Sequence, residues 1–216
     1  MKKIFIVIAV MGILSLAAAS PVYADNLLKN GFFSTGTLNH WHDAGLDDGA
    51  SININSNVFK SSDYSVKFSA TNDGSPDLFR LFQNFDVTAG QTYLGSAFLL
   101  NPKSQSLRGD DKGSYAFIAF RWLDSSGNFI GDEVKSDYLT GPNEDWAKFT
   151  VEATAPAGAT LGRFILAMHD KGGYANDTTR SVFFDNARVT AVPEPVSTIL
   201  FLTGGTILVA RRLRKK

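Results

Sequence analysis

Short apolar runs rich in Phe, Val, Ile and Tyr alternate with clusters of Gly, Asn, Asp, Ser and Pro from residue 25 to residue 191. Helical periodicity is not sustained in this range, and the pattern is typical of β-strands separated by turns. The runs predict strands at Ala50–Ile54, Tyr64–Ala70, Phe79–Val87, Gln91–Asn101, Ser114–Leu123, Trp146–Ala153, Thr160–His169 and Ser181–Thr190. Asp124–Asn128 predicts a hairpin connection to a further short strand, Phe129–Val134. The pattern favours an all-β fold, an antiparallel sandwich.

The strand Ser114–Leu123 should have two different faces, because successive side chains in a strand point to opposite sides. Its apolar set is predicted to face the core: Ala116, Ile118, Phe120 and Trp122. The opposite set contains Tyr115, Phe117 and Arg121, so this side of the strand mixes aromatic rings with a cation.

The strand Thr160–His169 divides in the same way. Phe164, Leu166 and Met168 form its apolar face, and Arg163 and His169 lie on the opposite side. A long cationic side chain beside apolar neighbours suits a partly open sheet surface that contacts a planar ligand.

The N-terminus has a different pattern. Met1–Lys3 supplies a positive segment, Ile4–Ala19 an apolar segment, and Val22–Ala24 a small-x-small cleavage site. These three parts in this order predict a secretory signal peptide over residues 1–24, with an uncut start-transfer anchor as the alternative. The mature chain should begin at Asp25.

The C-terminus, residues 192–216, also has three parts: Pro193-Glu194-Pro195, an apolar run at Val196–Ala210, and a basic end that begins with Arg211 and Arg212. The apolar run would form a helix of roughly 22 Å, shorter than the ~20 residues of an ordinary membrane span. The basic end should stay in the cytoplasm under the positive-inside rule, which leaves the domain outside. An ordinary tail anchor with a Pro-rich stalk is one interpretation.

The order of these three parts closely resembles the PEP-CTERM sorting signal of Gram-negative bacteria that produce extracellular polysaccharide. The resemblance implies that an exosortase, a membrane transpeptidase-like enzyme, recognises the tail and cuts it near Pro193-Glu194-Pro195. It also implies an exported protein that is first anchored in the inner membrane by a transmembrane sorting helix. After processing, the protein would reach the cell surface or the extracellular space.

The net charge of the domain differs from that of the whole chain once the two ends are excluded. The chain has 21 basic and 21 acidic residues, but seven of the basic residues and only Glu194 among the acids lie in the two ends. Residues 25–191 therefore carry 14 basic and 20 acidic groups, a net charge of −6. Such a domain would repel phosphate backbones, so nucleic-acid binding is not expected. The chain has no cysteine, so stability must come from packing and from any bound metal.

The domain at residues 25–191 resembles the jelly-roll carbohydrate-binding modules of the family 4/9 type. Six segments carry this resemblance in order along the chain: Asn26–Phe33, Ala89–Tyr93, Phe120–Asp124, Asp145–Thr150, Ala155–Ala159 and Phe183–Val189. The resemblance implies a jelly-roll sandwich that binds polysaccharide without catalysing a reaction.

Sugar binding by such a module requires aromatic rings that stack on C–H groups and polar side chains that bind hydroxyls. The candidate ligand-binding residues are Tyr115, Phe117 and Arg121, with Arg163 and His169 from a strand that we expect to lie nearby. The alternative is an ordinary solvated sheet face. Three further aromatic residues are instead predicted to pack in the core: Trp41, Trp122 and Trp146.

A structural calcium ion is implied by the same resemblance, and Asp185 is the metal ligand that it carries over. Ser34 stands where the family commonly has a second ligand, a Glu, and a neutral hydroxyl is a poor ligand for Ca²⁺. Asp185 could instead accept hydrogen bonds from backbone donors where the first and last strands meet.

His40-Trp41-His42-Asp43 could chelate a transition metal, because residues i and i+2 share one side of a strand. A polar loop around a core Trp41 is the preferred interpretation. The chain has no Gly-x-Ser-x-Gly, His-Glu-x-x-His or phosphate-binding glycine motif, and no cysteine nucleophile. The sequence therefore predicts a protein that is not an enzyme.

Two functions remain open: a module that binds extracellular polysaccharide, and a structural matrix or biofilm protein without a specific small ligand. They predict different surfaces. Two or more exposed aromatic rings around Arg121 would favour the binding module, and a flat polar face would favour the matrix protein.

Overall fold

Two antiparallel sheets face each other in the computed structural model, which describes residues 25–46, 49–71, 77–107, 113–171 and 179–193. The first sheet contains, in spatial order, β1 (His42–Ala44), β4 (Asp77–Asp86), β9 (Leu161–Asp170), β6 (Tyr115–Leu123) and β7 (Phe129–Lys135). The second contains β2 (Ala50–Asn55), β3 (Ser65–Ala70), β10 (Arg180–Ala191), β5 (Thr92–Leu100) and β8 (Ala147–Thr154). A short 3₁₀-helix at Lys103–Gln105 follows β5. The predicted all-β sandwich is confirmed.

The core lies between the two sheets and is built largely from aromatic rings. The predicted inward set of β6 is buried there, from Ala116 to Trp122, and so is the apolar set of β9. Phe120 packs edge-on against Phe164 with ring centres 5.6 Å apart, and Phe68 from the second sheet lies 5.7 Å from Phe79 of the first. Alternation along these strands therefore predicted the core correctly.

The N-terminal segment is held against β10 by backbone and side-chain hydrogen bonds. The Asn26 side chain donates to the Ala187 carbonyl at 3.0 Å and accepts from the Val189 amide at 2.9 Å. A Cβ on Gly31 would lie 2.2 Å from the Ala187 oxygen, so only glycine allows this approach. The opening Asn26–Phe33 motif is thus structural.

The predicted hairpin between β6 and β7 is confirmed. The Asp124 carboxylate accepts the Ser126 and Asn128 amides at 2.8 and 2.9 Å, and Gly127 has a φ of 82°, which favours glycine. The hydrogen bonds from Asn128 lower the pKa of Asp124 below its ordinary value.

Two predictions for individual segments need correction. His42–Ala44, predicted as part of a loop, forms strand β1 and pairs with β4, His42 lying opposite Phe82. Trp41 and Trp122 are buried as predicted, but Trp146 is only half-buried, since it precedes β8 at the edge of the second sheet.

The predicted signal peptide and most of the sorting motif lie outside the described residues, including Glu194, Pro195, Arg211 and Arg212. Pro193 is exposed and follows the end of β10 by two residues. The parts of the chain that the structure describes contain no helix with the length and apolar character needed to cross a membrane.

Candidate functional site

The outer face of the first sheet, the side away from the core, collects side chains from four strands. By strand register it contains Arg80, Phe82 and Asn84 from β4, Arg163, Ile165, Ala167 and His169 from β9, Tyr115, Phe117, Ala119 and Arg121 from β6, and Phe129, Glu133 and Lys135 from β7. We call this surface the outer face.

All five predicted ligand-binding residues lie on the outer face, on the adjacent strands β6 and β9. Tyr115 is directly opposite His169, and Arg121 is directly opposite Arg163. The expectation that these two strands are neighbours is confirmed, and the binding role of the residues stays a prediction.

The two arginines lie flat on aromatic rings. The guanidinium carbon of Arg121 is 3.6 Å from the centre of the Phe129 ring, and that of Arg163 is 3.8 Å from the centre of the Phe82 ring. Arg163 Nε also donates a hydrogen bond of 2.9 Å to Asn84 Oδ1. Burial lowers the pKa of Arg163, and the positive charge of Arg121 lowers it further. Contact with an aromatic ring restrains each guanidinium group at the surface of the sheet.

A second group of rings lies at the other end of β6. Tyr115 lies 4.5 Å from Tyr138 and 4.9 Å from His169, measured between ring centres. Burial raises the pKa of Tyr115, and burial followed by the charge of Lys171 lowers the pKa of His169. Both side chains are therefore neutral near pH 7 and suited to hydrogen bonds with hydroxyls.

The prediction that Phe117 offers an exposed ring is wrong. Phe117 is fully buried although it points away from the core. The Lys135 ammonium lies 5.2 Å from its ring centre and the Tyr138 ring 5.6 Å away, so side chains from β7 and the segment after it cover the ring. Phe117 therefore forms part of the floor beneath the face.

Glu133 forms an ion bridge that sequence reasoning did not find. Its carboxylate oxygens lie 3.7 Å from Arg80 Nη2 and 3.5 Å from Lys135 Nζ. Arg80 belongs to β4 and Glu133 to β7, so the contact between them spans the two central strands of the sheet. The small floor residues Ala119 and Ala167 on those strands are buried.

Phe82, Phe129 and Tyr138 were also not among the predicted residues. The available signal was alternation in β4, where Arg80, Phe82 and Asn84 share one side, and the position of Phe129 immediately after the hairpin. Neither pattern states which strands become neighbours.

Asp185 is fully buried on β10, and its surroundings do not fit a calcium site. Its carboxylate accepts backbone hydrogen bonds from Lys60 at 2.8 Å, Ser61 at 3.3 Å and Asn186 at 2.6 Å. Burial raises the pKa of Asp185 despite these bonds. Backbone N–H groups that point at a carboxylate compete with a cation, and Ser34 is exposed. The calcium ion that the resemblance implies stays a prediction, and these contacts argue against it at Asp185.

A cleft of about 410 Å³ lies beside β4, and His40 and His42 are in its wall. Among the residues described, no three His, Asp or Glu side chains come together as a metal site. The His42 ring instead lies 5.7 Å from the Phe82 ring at the edge of the outer face.

Comparison with known proteins shows the fold. No protein-family model and no curated protein sequence matches the chain. The CBM22-1 xylan-binding domain of Paenibacillus barcinonensis Xyn10C is similar in structure, with a TM-score of 0.52 and 12% identity over 80% of this chain and 97% of that one. The MgGH51 α-L-arabinofuranosidase reaches a TM-score of 0.52 and 20% identity, covering 78% of this chain.

The enzymatically active domain of bacteriophage CBA120 tailspike protein 4 is also similar, with a TM-score of 0.58 and 14% identity over 77% of this chain. The match spans only 21% of the tailspike chain and 26% of the arabinofuranosidase chain. At these identities the likeness establishes a two-sheet sandwich of the kind found in carbohydrate-binding modules.

Proposed function

We propose that residues 25–191 form a non-catalytic module that binds polysaccharide on the outer face of the first sheet. The observation that carries this proposal is a pair of exposed rings on the outer face: Phe129, which contacts Arg121, and Tyr138, which contacts Tyr115 at the other end of β6. Phe129 and Tyr138 are 45% and 47% exposed, respectively. Aromatic rings offer a stacking surface to sugar C–H groups, and the neighbouring arginines donate hydrogen bonds to hydroxyls. Exposed aromatic rings favour a binding module over a matrix protein without a ligand.

The fold supports the same proposal. The CBM22-1 domain, which the match covers almost completely, is named as a xylan-binding domain, so a sandwich of this shape is compatible with polysaccharide binding. That module shares only 12% of its residues with this chain, so the outer face must be argued from the residues of this chain.

The export route belongs to the same proposal and rests on the sequence. The signal peptide sends the chain across the inner membrane, the tail holds it there, and an exosortase releases it near Pro193-Glu194-Pro195. Exposure of Pro193 is compatible with access by such an enzyme. The mass of the protein recovered from the cell surface or medium tells whether this cut occurs.

The binding proposal is tested with the full-length chain, purified in mild detergent and run through gels that contain one polysaccharide each. We expect retardation by at least one polysaccharide. Arg121→Ala removes a hydrogen-bond donor and the cation that stacks on Phe129. The affinity derived from the retardation should fall about tenfold. Because Arg121 is only half-buried, the melting temperature of the Arg121→Ala variant should differ little from that of the wild-type protein.

Lys148→Ala is the matched control, because it removes an exposed cation from β8 on the opposite sheet. Equal loss of binding in both variants, or loss of folding in Arg121→Ala, would contradict a binding role for Arg121. A folded wild-type chain that binds no polysaccharide would favour the matrix function.

A further inference from the structure

The outer face is rich in cations, although the domain as a whole is acidic. Arg80, Arg121, Lys135 and Arg163 lie on it with Glu133 as the carboxylate between them. Residues 25–191 carry a net charge of −6. The positive charge is therefore concentrated locally, at the surface for which binding is proposed.

Arg121 and Arg163 are adjacent like charges. They are paired in register on β6 and β9, and neither forms an ion pair within the described part of the chain. Arg121 Nε is buried and has no hydrogen-bond partner there. Stacking on Phe129 and Phe82 holds the two groups in spite of their repulsion. A carboxylate bound between them would offset this repulsion, since guanidinium groups match carboxylates in shape and charge.

Glu133 supplies one carboxylate to the same surface. Its contacts with Arg80 and Lys135, at 3.7 and 3.5 Å, exceed the usual hydrogen-bond range of about 2.7–3.2 Å. The Arg80 and Lys135 side chains are 31% and 36% exposed. The Glu133 side chain is only 13% exposed, but both contacts are long and their cations are partly exposed, so the carboxylate of a ligand can compete with Glu133 for Arg80 and Lys135.

We propose that the outer face selects an acidic polysaccharide, with uronic-acid carboxylates bound by Arg121 and Arg163, and by Arg80 and Lys135 in place of Glu133. This inference rests on the binding function proposed above and adds the class of its ligand. The small floor residues Ala119 and Ala167 lie on β6 and β9, the two strands that the Arg80–Glu133 contact spans.

The experiment compares each acidic polymer with its own carboxyl-reduced form, which keeps the chain but not the charge. Polygalacturonate, alginate and hyaluronan are titrated into the full-length chain at low salt and at about 1 M salt, where the Debye length is about 3 Å. We expect at least one acidic polymer to bind about tenfold more tightly than its reduced form at low salt, and this difference to shrink at high salt.

Two variants locate the effect. Arg163→Gln should lower the affinity for the acidic form about tenfold while changing that for the reduced form little. Glu133→Gln removes the internal competitor and should raise the affinity for the acidic form severalfold, by an amount comparable to a surface ion pair. Lys148→Gln, which removes a cation from the opposite sheet, should leave both affinities unchanged.

The outcomes separate this inference from the binding function. Equal binding of acidic and reduced forms would overturn the inference and leave the binding function intact. Binding of neither form, by a folded chain that also binds no neutral polysaccharide, would overturn both. A single-stranded DNA oligonucleotide bound as tightly as the best polysaccharide would show a general polyanion surface and overturn the proposed selection of an acidic polysaccharide. Lower affinity in Glu133→Gln would contradict the assigned role of Glu133.

Discussion

Asp185 connects the closing strand to the segment between β2 and β3. Its two carboxylate oxygens accept the amides of Lys60, Ser61 and Asn186, in a position where solvent does not reach the side chain. The sequence carried two interpretations of this residue, a calcium ligand and an acceptor for backbone donors. The hydrogen bonds agree with the second, although the donors come from the 60–61 segment rather than from the first strand.

Asp185→Ala should lower the free energy of unfolding by about 1–3 kcal/mol, because it leaves backbone donors without their acceptor. Urea unfolding of the two proteins measures this difference. We expect neither added calcium nor EDTA to shift the wild-type midpoint. A calcium-dependent midpoint that Asp185→Ala abolishes would restore the metal-site interpretation.

His169 makes stability depend on pH. Burial, and then the charge of Lys171, lower its pKa in the folded state below the ordinary value of 6.5, and Asp170 opposes this only in part. The unfolded chain therefore binds more protons than the folded one just below pH 6.5, and stability falls as the pH is lowered through this window. The melting temperature should be lower near pH 5.5 than near pH 7.5.

His169→Gln isolates this contribution, because other groups titrate in both proteins. The contribution of Asp185 to the pH dependence of stability has the opposite sign. Because its pKa is raised in the folded state, stability falls as the pH rises above 3.8. The decrease in melting temperature between the two pH values should be smaller in the variant. The same decrease in both proteins would mean that His169 does not carry the effect.

Among the strands, β5 depends on a glycine at its centre. An ideal Cβ on Gly95 would lie 2.6 Å from Phe164 and 2.8 Å from Phe120, two rings of the first sheet. Gly95→Ala should therefore cost about 1–3 kcal/mol of stability through overpacking, measured by urea unfolding. Gly141→Ala is the matched control, since nothing lies within 4 Å of its Cβ position. A similar loss in both variants would contradict the packing explanation.

The strands themselves could be predicted from the sequence where apolar residues were frequent and turns were marked. β1 could not, because His42–Ala44 is short and none of its residues is buried, so pairing with β4 rather than burial makes it a strand. For Phe117, alternation predicted correctly that the side chain points away from the core. Its burial could not be predicted, because it depends on Lys135 from β7 and on Tyr138 from the segment after β7.

For the whole molecule, the sandwich and the adjacency of β6 and β9 could be expected from the pattern and the resemblance. The stacking of Arg163 on Phe82 could not, since it depends on β4 lying beside β9, and the Arg80–Glu133 contact also depends on β7 lying beside β6. Strand order is a property of the complete fold, so a local pattern contains no signal for it. The charge of the outer face was hidden for the same reason, because its cations come from separate segments of an acidic domain.

The position of β10 has a mechanical consequence under the C-terminal tethering proposed above. β10 is the central strand of the second sheet, hydrogen-bonded to β3 on one side and β5 on the other, and Leu27 adds a bond to Val189 near its end. Tension applied beyond Pro193 pulls this strand along its own axis. Because the ladder bonds lie perpendicular to an antiparallel strand, the force loads many of them together in shear rather than opening them one by one. A domain held at one end and attached to polysaccharide on its other sheet can thus bear load between the two.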